Sequence, residues 1–151
     1  MDLATAHALA ADLITRAEAA IVTTLANGRP QTRAMFNLRR RGQFSGLAPF
    51  FDRHGDGYTV YLTTNTSSPK VAEVRANPAV SIYYAVPQEF LGLMLGGDLE
   101  IVTDRAIREL LWQPGWERYY PQGPQDPDHT VLRLRPTEAK LYHQLQFARL
   151  L

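Results

Sequence analysis

Apolar and polar positions change their spacing several times along this chain, and each change marks an element. Between Asp2 and Glu18, Leu3, Leu9, Leu13 and Ile14 fall on one helical stripe among alanines, with Asp2 placed to cap it. A helix is expected over 2–18. Ala20 to Ala26 (AIVTTLA) is β-branched and strand-like, Asn27-Gly28 is a strong hairpin signal, and 30–38 (PQTRAMFNL) reads as the returning strand. Residues 39–57, rich in Arg, Gly and Asp, read as a loop. At 58–64 (YTVYLTT) the pattern returns to strand, and Asn65 to Ser68 make a polar turn. Pro69 suits a first helical position, and the helix it opens stops at Asn77-Pro78.

Strands are expected at 79–86 (AVSIYYAV) and from Phe90 to Thr103, with a turn near Pro87-Gln88 between them. Gly96-Gly97 predict either a bulge or a close backbone approach. Thr103-Asp104 cap a helix from Arg105 to Trp112, an irregular stretch rich in Pro and aromatics follows, and 130–135 and 138–147 read as the last strands. These elements describe a mainly β (α+β) chain: an antiparallel barrel of six or seven strands with short flanking helices, one domain over 1–151. Alternating βαβ units with a glycine-rich first turn are absent.

Composition then removes whole classes of function. The chain has 151 residues, 45% of them apolar, which suits one domain with a real core. Its 16 basic and 15 acidic residues leave a net charge of +1, so no overall field attracts nucleic acid or an anionic membrane. The absence of Cys excludes disulfides, thiolate metal sites and Cys nucleophiles. No apolar run approaches the ~20 residues of a membrane helix, and Met1-Asp2 opens no basic-apolar leader, so a cytoplasmic protein is expected. His7, His54, His129 and His143 are scattered, and no GxSxG elbow occurs, so neither a metal centre nor a hydrolase triad is expected. Arg39-Arg40-Arg41 reads as part of a solvated loop, Asp126 to His129 as a rigid turn, and Trp112 and Trp116 as one packed face.

The chemistry concentrates between Tyr61 and Tyr84. Thr63, Thr64, Thr66, Ser67 and Ser68 cluster where a strand ends, and Lys70 stands at the start of the following helix. Hydroxyls, an ammonium and free helix N–H groups together suit a phosphate; an ordinary helix cap is the other reading.

The order of motifs resembles the split β-barrel flavoproteins of the pyridoxamine 5′-phosphate oxidase-like superfamily, and within it the general stress protein branch. Thr64-Asn65, Ser68, Lys70 and Asn77-Pro78 match the Thr-Asn-x-x-Ser-x-Lys signature and its helix end. Arg33-Ala34-Met35 in the preceding hairpin and Gly97 with Glu100 downstream fit the pattern, as do Asp104, Leu111-Trp112, Tyr120-Pro121, Gly123, Asp126-Pro127 and Leu134-Arg135-Pro136. The likeness covers about 15–145. It implies a homodimer holding FMN in a groove between two protomers. The phosphate would lie near Arg33, Ser67, Ser68 and Lys70. The flavin ring would run along Ala34, Met35, Phe36 and Asn37, with Thr63 and Thr64 close by. Phe90 to Gly92 would lie near the ring, and Tyr142, where the family carries Trp, would pack on it from the other subunit. A reduced nicotinamide would be the electron donor of such an oxidoreductase. A non-catalytic flavin module, or a relative that takes deazaflavin or heme, is the alternative.

Several positions depart from the true oxidases. Pro69 replaces a phosphate-holding Arg, Gly92 a flavin-contacting Gln, and Leu38 a Lys. The ending Gln146 to Leu151 lacks their basic, substrate-gripping segment. The vitamin B6 oxidase reaction is therefore not expected.

Overall fold

A computed structural model describes Met1–Leu151. Helix α1 (Leu3–Arg16) starts where the Asp2 carboxylate accepts from the Thr5 N–H at 2.8 Å. Such a cap contributes about 1 kcal/mol. The stripe that α1 buries is Ala6, Ala10, Leu13 and Ile14, whereas Leu3 is 59% exposed. Leu13 and Ile14 are thus buried as expected and Leu9 packs partly against the core, while Leu3 leaves the stripe and Ala6 and Ala10, with no side chain to hold the helix off, complete the contact face.

Strands β1 (Ala19–Ala26) and β2 (Arg29–Phe36) form the expected hairpin. Asn27 and Gly28 both take positive φ (52° and 76°), which a two-residue turn of this hand requires. Residues 39–57 are not a plain loop. They carry α2 (Arg41–Phe44), a 3₁₀ turn over Ser45–Leu47 and α3 (Ala48–His54). Phe44, Leu47 and Phe50 recur at helical spacing and are buried, and the Arg and Gly between them masked that period.

Next come β3 (Val60–Asn65), α4 (Pro69–Ala76), β4 (Ala79–Val86), a 3₁₀ turn at Pro87–Glu89 and the long β5 (Leu91–Val102). Helix α5 (Arg105–Leu111) is capped by Asp104, a 3₁₀ turn follows at Trp116–Arg118, and β6 is His129–Leu134. The expected final strand at 138–147 is two strands, β7 (Glu138–His143) and β8 (Gln146–Arg149). Gln144, at φ 55°, turns the chain between them without the Gly or Asn that advertises such a turn. The count is thus eight strands, with every pair antiparallel.

The sheet runs β2-β1-β4-β5, and β5 then serves two partners. Leu91 to Gly96 pair with β7, and Leu99 to Val102 pair with β6, which carries β3 on its far side. The change falls at Gly96-Gly97. Register with β4 continues unbroken through both glycines, so there is no bulge there. The close approach is what is found: a Cβ on Gly97 would lie 3.0 Å from Leu134 Cδ1 and 3.4 Å from the Thr137 backbone N. The result is a curled half-barrel with short helices around it.

Two apolar clusters fill it. The larger lies under α1 and joins Leu13 and Ile14 to Ile82, Leu93, Leu95, Leu132, Leu134 and Leu141. The smaller joins Leu38, Phe44, Leu47 and Phe50 to Tyr61, Leu111, Trp116, Tyr120 and Val131. Burial on this scale stabilises by about 25 cal/mol per Å² of apolar surface. No helix is long and apolar enough to cross a membrane.

Candidate functional site

A cleft of about 590 Å³ opens between β2, the end of β3 and the segment bearing Trp116, Tyr119 and Tyr120. Ala34, Met35 and Phe36 from β2, Thr63, Thr64 and Asn65 from the end of β3, and Lys70 from the helix that follows all line it. Glu18, Arg40 and Gln43 complete the polar part of the lining. β2 is the edge of its sheet and pairs only with β1. Alternate backbone N–H and C=O groups along Arg33 to Phe36 therefore face outward with no ladder partner.

The β3–α4 turn owes its shape to Asp128. Its carboxylate accepts from the Asn65 side-chain amide at 2.6 Å and from the Ser67 N–H at 2.8 Å. The Asn65 bond first, then that of Ser67, lowers the pKa of this acid. Thr66 adds its N–H to the Asp128 carbonyl at 2.7 Å. The Ser67 N–H is thus already used, and its side chain is exposed. Ser68 is not part of the lining but stays close to it, its hydroxyl 3.5 Å from that of Thr64. Asp126 organises the neighbouring turn by accepting from the Gln122 and Asp128 N–H groups, both at 2.8 Å, which makes this segment the rigid corner expected.

Lys70 reaches the cleft without an ion-pair partner. Burial, then the nearby Arg33, lowers its pKa, while Glu73 opposes them. Arg33 itself is near Lys70 but outside the cleft lining. Its Nη1 donates to Thr24 Oγ1 at 2.7 Å and to the Gln31 carbonyl at 3.0 Å, and its Nη2 to Glu73 at 3.0 Å. Tyr120 also lines the cleft, and burial pushes its phenol up to about 12, so at neutral pH it meets a ligand uncharged.

The structure thus gathers Ala34, Met35, Phe36, Thr63, Thr64 and Lys70 around one cleft, with Ser68 and Arg33 at its edge. Asn37 is elsewhere. It is 1% exposed, and its amide donates to the Ile14 and Ala17 carbonyls at 2.7 and 2.9 Å, tying off the end of α1. Gly92 and Tyr142 face each other across β5 and β7, away from the cleft of the same chain. A Cβ on Gly92 would strike Tyr83, whose hydroxyl would lie 1.9 Å away, so this glycine makes room for a tyrosine ring.

Arg40, Gln43, Tyr119 and Tyr120 line the cleft and were not singled out as binding residues from sequence. The aromatic density of 116–120 was the available signal. Trp112 and Trp116 do pack on each other, at 6.0 Å between centroids, although a turn rather than one continuous helix brings them together. Arg39 is not solvated as expected. It donates to the Gly55 and Thr59 carbonyls at 2.6 and 3.0 Å and lies over the Phe51 ring, so it props the 39–57 segment from inside.

Comparison with known proteins agrees with this architecture. The family model described as pyridoxamine 5′-phosphate oxidase matches residues 6–143. General stress protein 26 of Bacillus subtilis is 24% identical over 133 residues, covering 86% of this chain and 83% of that protein. A crystal structure from Clostridium acetobutylicum, of a protein related to general stress protein 26, is 32% identical with a TM-score of 0.76, covering 99% of this chain and 95% of the other. The structure of an F420 reductase is 26% identical with a TM-score of 0.56, over 85% of this chain and 93% of that one. Matched along nearly its whole length, this chain belongs to the pyridoxamine 5′-phosphate oxidase family.

Proposed function

We propose that the cleft binds FMN and that the protein is an oxidoreductase supplied by a reduced nicotinamide. The observation that carries this reading is Lys70: a cation with no ion-pair partner that lines, together with Thr64, a cleft of about 590 Å³ with apolar side chains for a ring system, Ser68 lying next to Thr64. Lys70 and Ser68 would hold the phosphate, with Arg33 near them. The outward edge of β2 offers hydrogen bonds to the polar rim of a flat heterocycle, and Met35, Phe36 and Trp116 offer apolar contact. Bound FMN would supply the two-electron chemistry; the chain's share is to orient it, neutralise its phosphate and limit water.

A second copy completes the proposal. Phe90, Leu145, Phe147 and Tyr142 are 75%, 104%, 53% and 40% exposed and lie together at the β5 and β7–β8 end. Such a patch suits an isologous dimer, which would bring Gly92 and Tyr142 to the cleft of the other protomer.

The test is a visible spectrum of the purified protein followed by FMN titration. Flavin bands or saturable binding, weakened about tenfold or more by Lys70→Ala, are expected. A colourless protein that ignores FMN overturns the reading. Bound FMN that neither NADH nor NADPH reduces would make the protein a flavin module rather than an enzyme. The likeness to an F420 reductase supports a deazaflavin as the second reading, and the same spectrum separates it, or a heme, from FMN.

A further inference from the structure

Arg33, one of the cations proposed for the phosphate, is already engaged by an internal anion. Its Nη2 donates to Glu73 Oε2 at 3.0 Å, and the Thr24 hydroxyl donates to the same oxygen at 2.6 Å while accepting from Arg33 Nη1 at 2.7 Å. The three groups close a triangle. The Arg33 and Glu73 side chains are 23% and 15% exposed, against 77% and 52% for the outer pair Arg105–Glu109. Screening by water and salt is correspondingly weaker in the triangle. Glu73 also follows Lys70 by three residues on α4, so both project from neighbouring positions of one helix face. Lys70 remains outside the pair and lines the cleft.

The charges at this end are therefore Arg33 and Lys70 positive and Glu73 negative. They sum to one positive charge. A phosphate monoester near neutral pH carries roughly −1.5 to −2. Taking it up in full means drawing the Arg33 guanidinium away from Glu73, or accepting the monoester beside a fixed carboxylate. Either route weakens the phosphate's share of binding and leaves the ring's share untouched.

We infer that Glu73 is a specificity-determining residue, whose carboxylate competes with a ligand phosphate for Arg33 and limits how strongly the cleft selects a phosphorylated flavin over an unphosphorylated one. This rests on the flavin reading of the cleft and concerns the chemistry at its polar end.

The experiment titrates FMN and riboflavin, which lacks the phosphate, into the wild-type protein and Glu73→Gln. FMN is expected to bind the variant about tenfold more tightly, with riboflavin changed by less than about twofold. Glu73→Ala carries the same expectation and replaces the Gln variant if that does not fold. FMN binding that is unchanged or weaker in a folded variant overturns the inference and leaves the flavin reading intact, because Glu73 would then be a scaffold for Arg33. Equal shifts for FMN and riboflavin overturn it as well. Wild-type protein and variants that bind neither flavin remove the flavin reading and the inference together.

Discussion

His129 shows how one buried side chain sets a property of the whole chain. The ring is 1% exposed and lies 4.5 Å from the Tyr120 ring. Its Nδ1 is 2.7 Å from the Pro124 carbonyl oxygen and so must be the protonated nitrogen that donates; Nε2 is buried with no partner. Burial holds the pKa below the ordinary 6.5; the Pro124 carbonyl opposes this, Arg108 adds to it, and Asp126 opposes it. The folded ring therefore resists a proton that the unfolded chain accepts. As pH falls through about 6.5, the unfolded state binds protons first and stability declines until the folded ring titrates. Glu73 and Glu100, held below 4.5, lose their stabilising contribution only at more acid pH. Urea unfolding midpoints should therefore fall between pH 7.5 and 5.5, and His129→Gln should flatten that slope. A slope unchanged in the variant would assign it to other groups.

Among the elements, the junction of α1 with β2 depends on a single amide. Asn37 donates to two carbonyls at the end of α1 and accepts from the Arg39 N–H at 3.1 Å. Replacing it with Ala strands these groups in a buried site, at a cost of roughly 2–4 kcal/mol. Asn37→Ala should therefore lower the unfolding free energy by that amount in denaturant titration, with flavin affinity reduced only in proportion to the fraction unfolded. A direct loss of flavin affinity in fully folded Asn37→Ala would instead return this residue to the binding site. The same junction shows what local pattern conveys. Residue types place a strand before Asn37, but the bonds that occupy its side chain come from residues 20 and 23 positions away.

At the scale of the whole molecule, the exposed aromatic end of the β7–β8 hairpin is the feature the single chain leaves unused. Leu145 is fully exposed at 104%, and Phe147, half exposed, lies beside the Tyr142 ring at 5.3 Å between centroids. Light scattering at micromolar concentration should give twice the 17.0 kDa of one chain, and Leu145→Glu should shift the protein toward monomer. A stable 17.0 kDa species in the wild type would overturn the dimer and with it the roles proposed for Gly92 and Tyr142.

Local chemistry alone determined the Asn27-Gly28 hairpin, the Asp2 and Asp104 caps, the Pro69 helix start and the strand at 79–86, because each rests on neighbours in sequence. The order of Arg33, Thr64, Ser68 and Lys70 likewise placed the candidate site on β2 and the β3–α4 turn. Only the tertiary structure decided which of these groups remain free. It paired Arg33 with Glu73 across 40 residues, used the Ser67 N–H for Asp128 across 61, and brought Tyr119 and Tyr120 over the cleft from a segment whose own pattern is irregular. It also gave β5 two partners at Gly96-Gly97 and hid Arg39 beneath the 39–57 helices. The physical reason is the same throughout: turns and caps are satisfied within a few residues, whereas the availability of a charge or a hydrogen-bond donor depends on what the rest of the chain brings beside it.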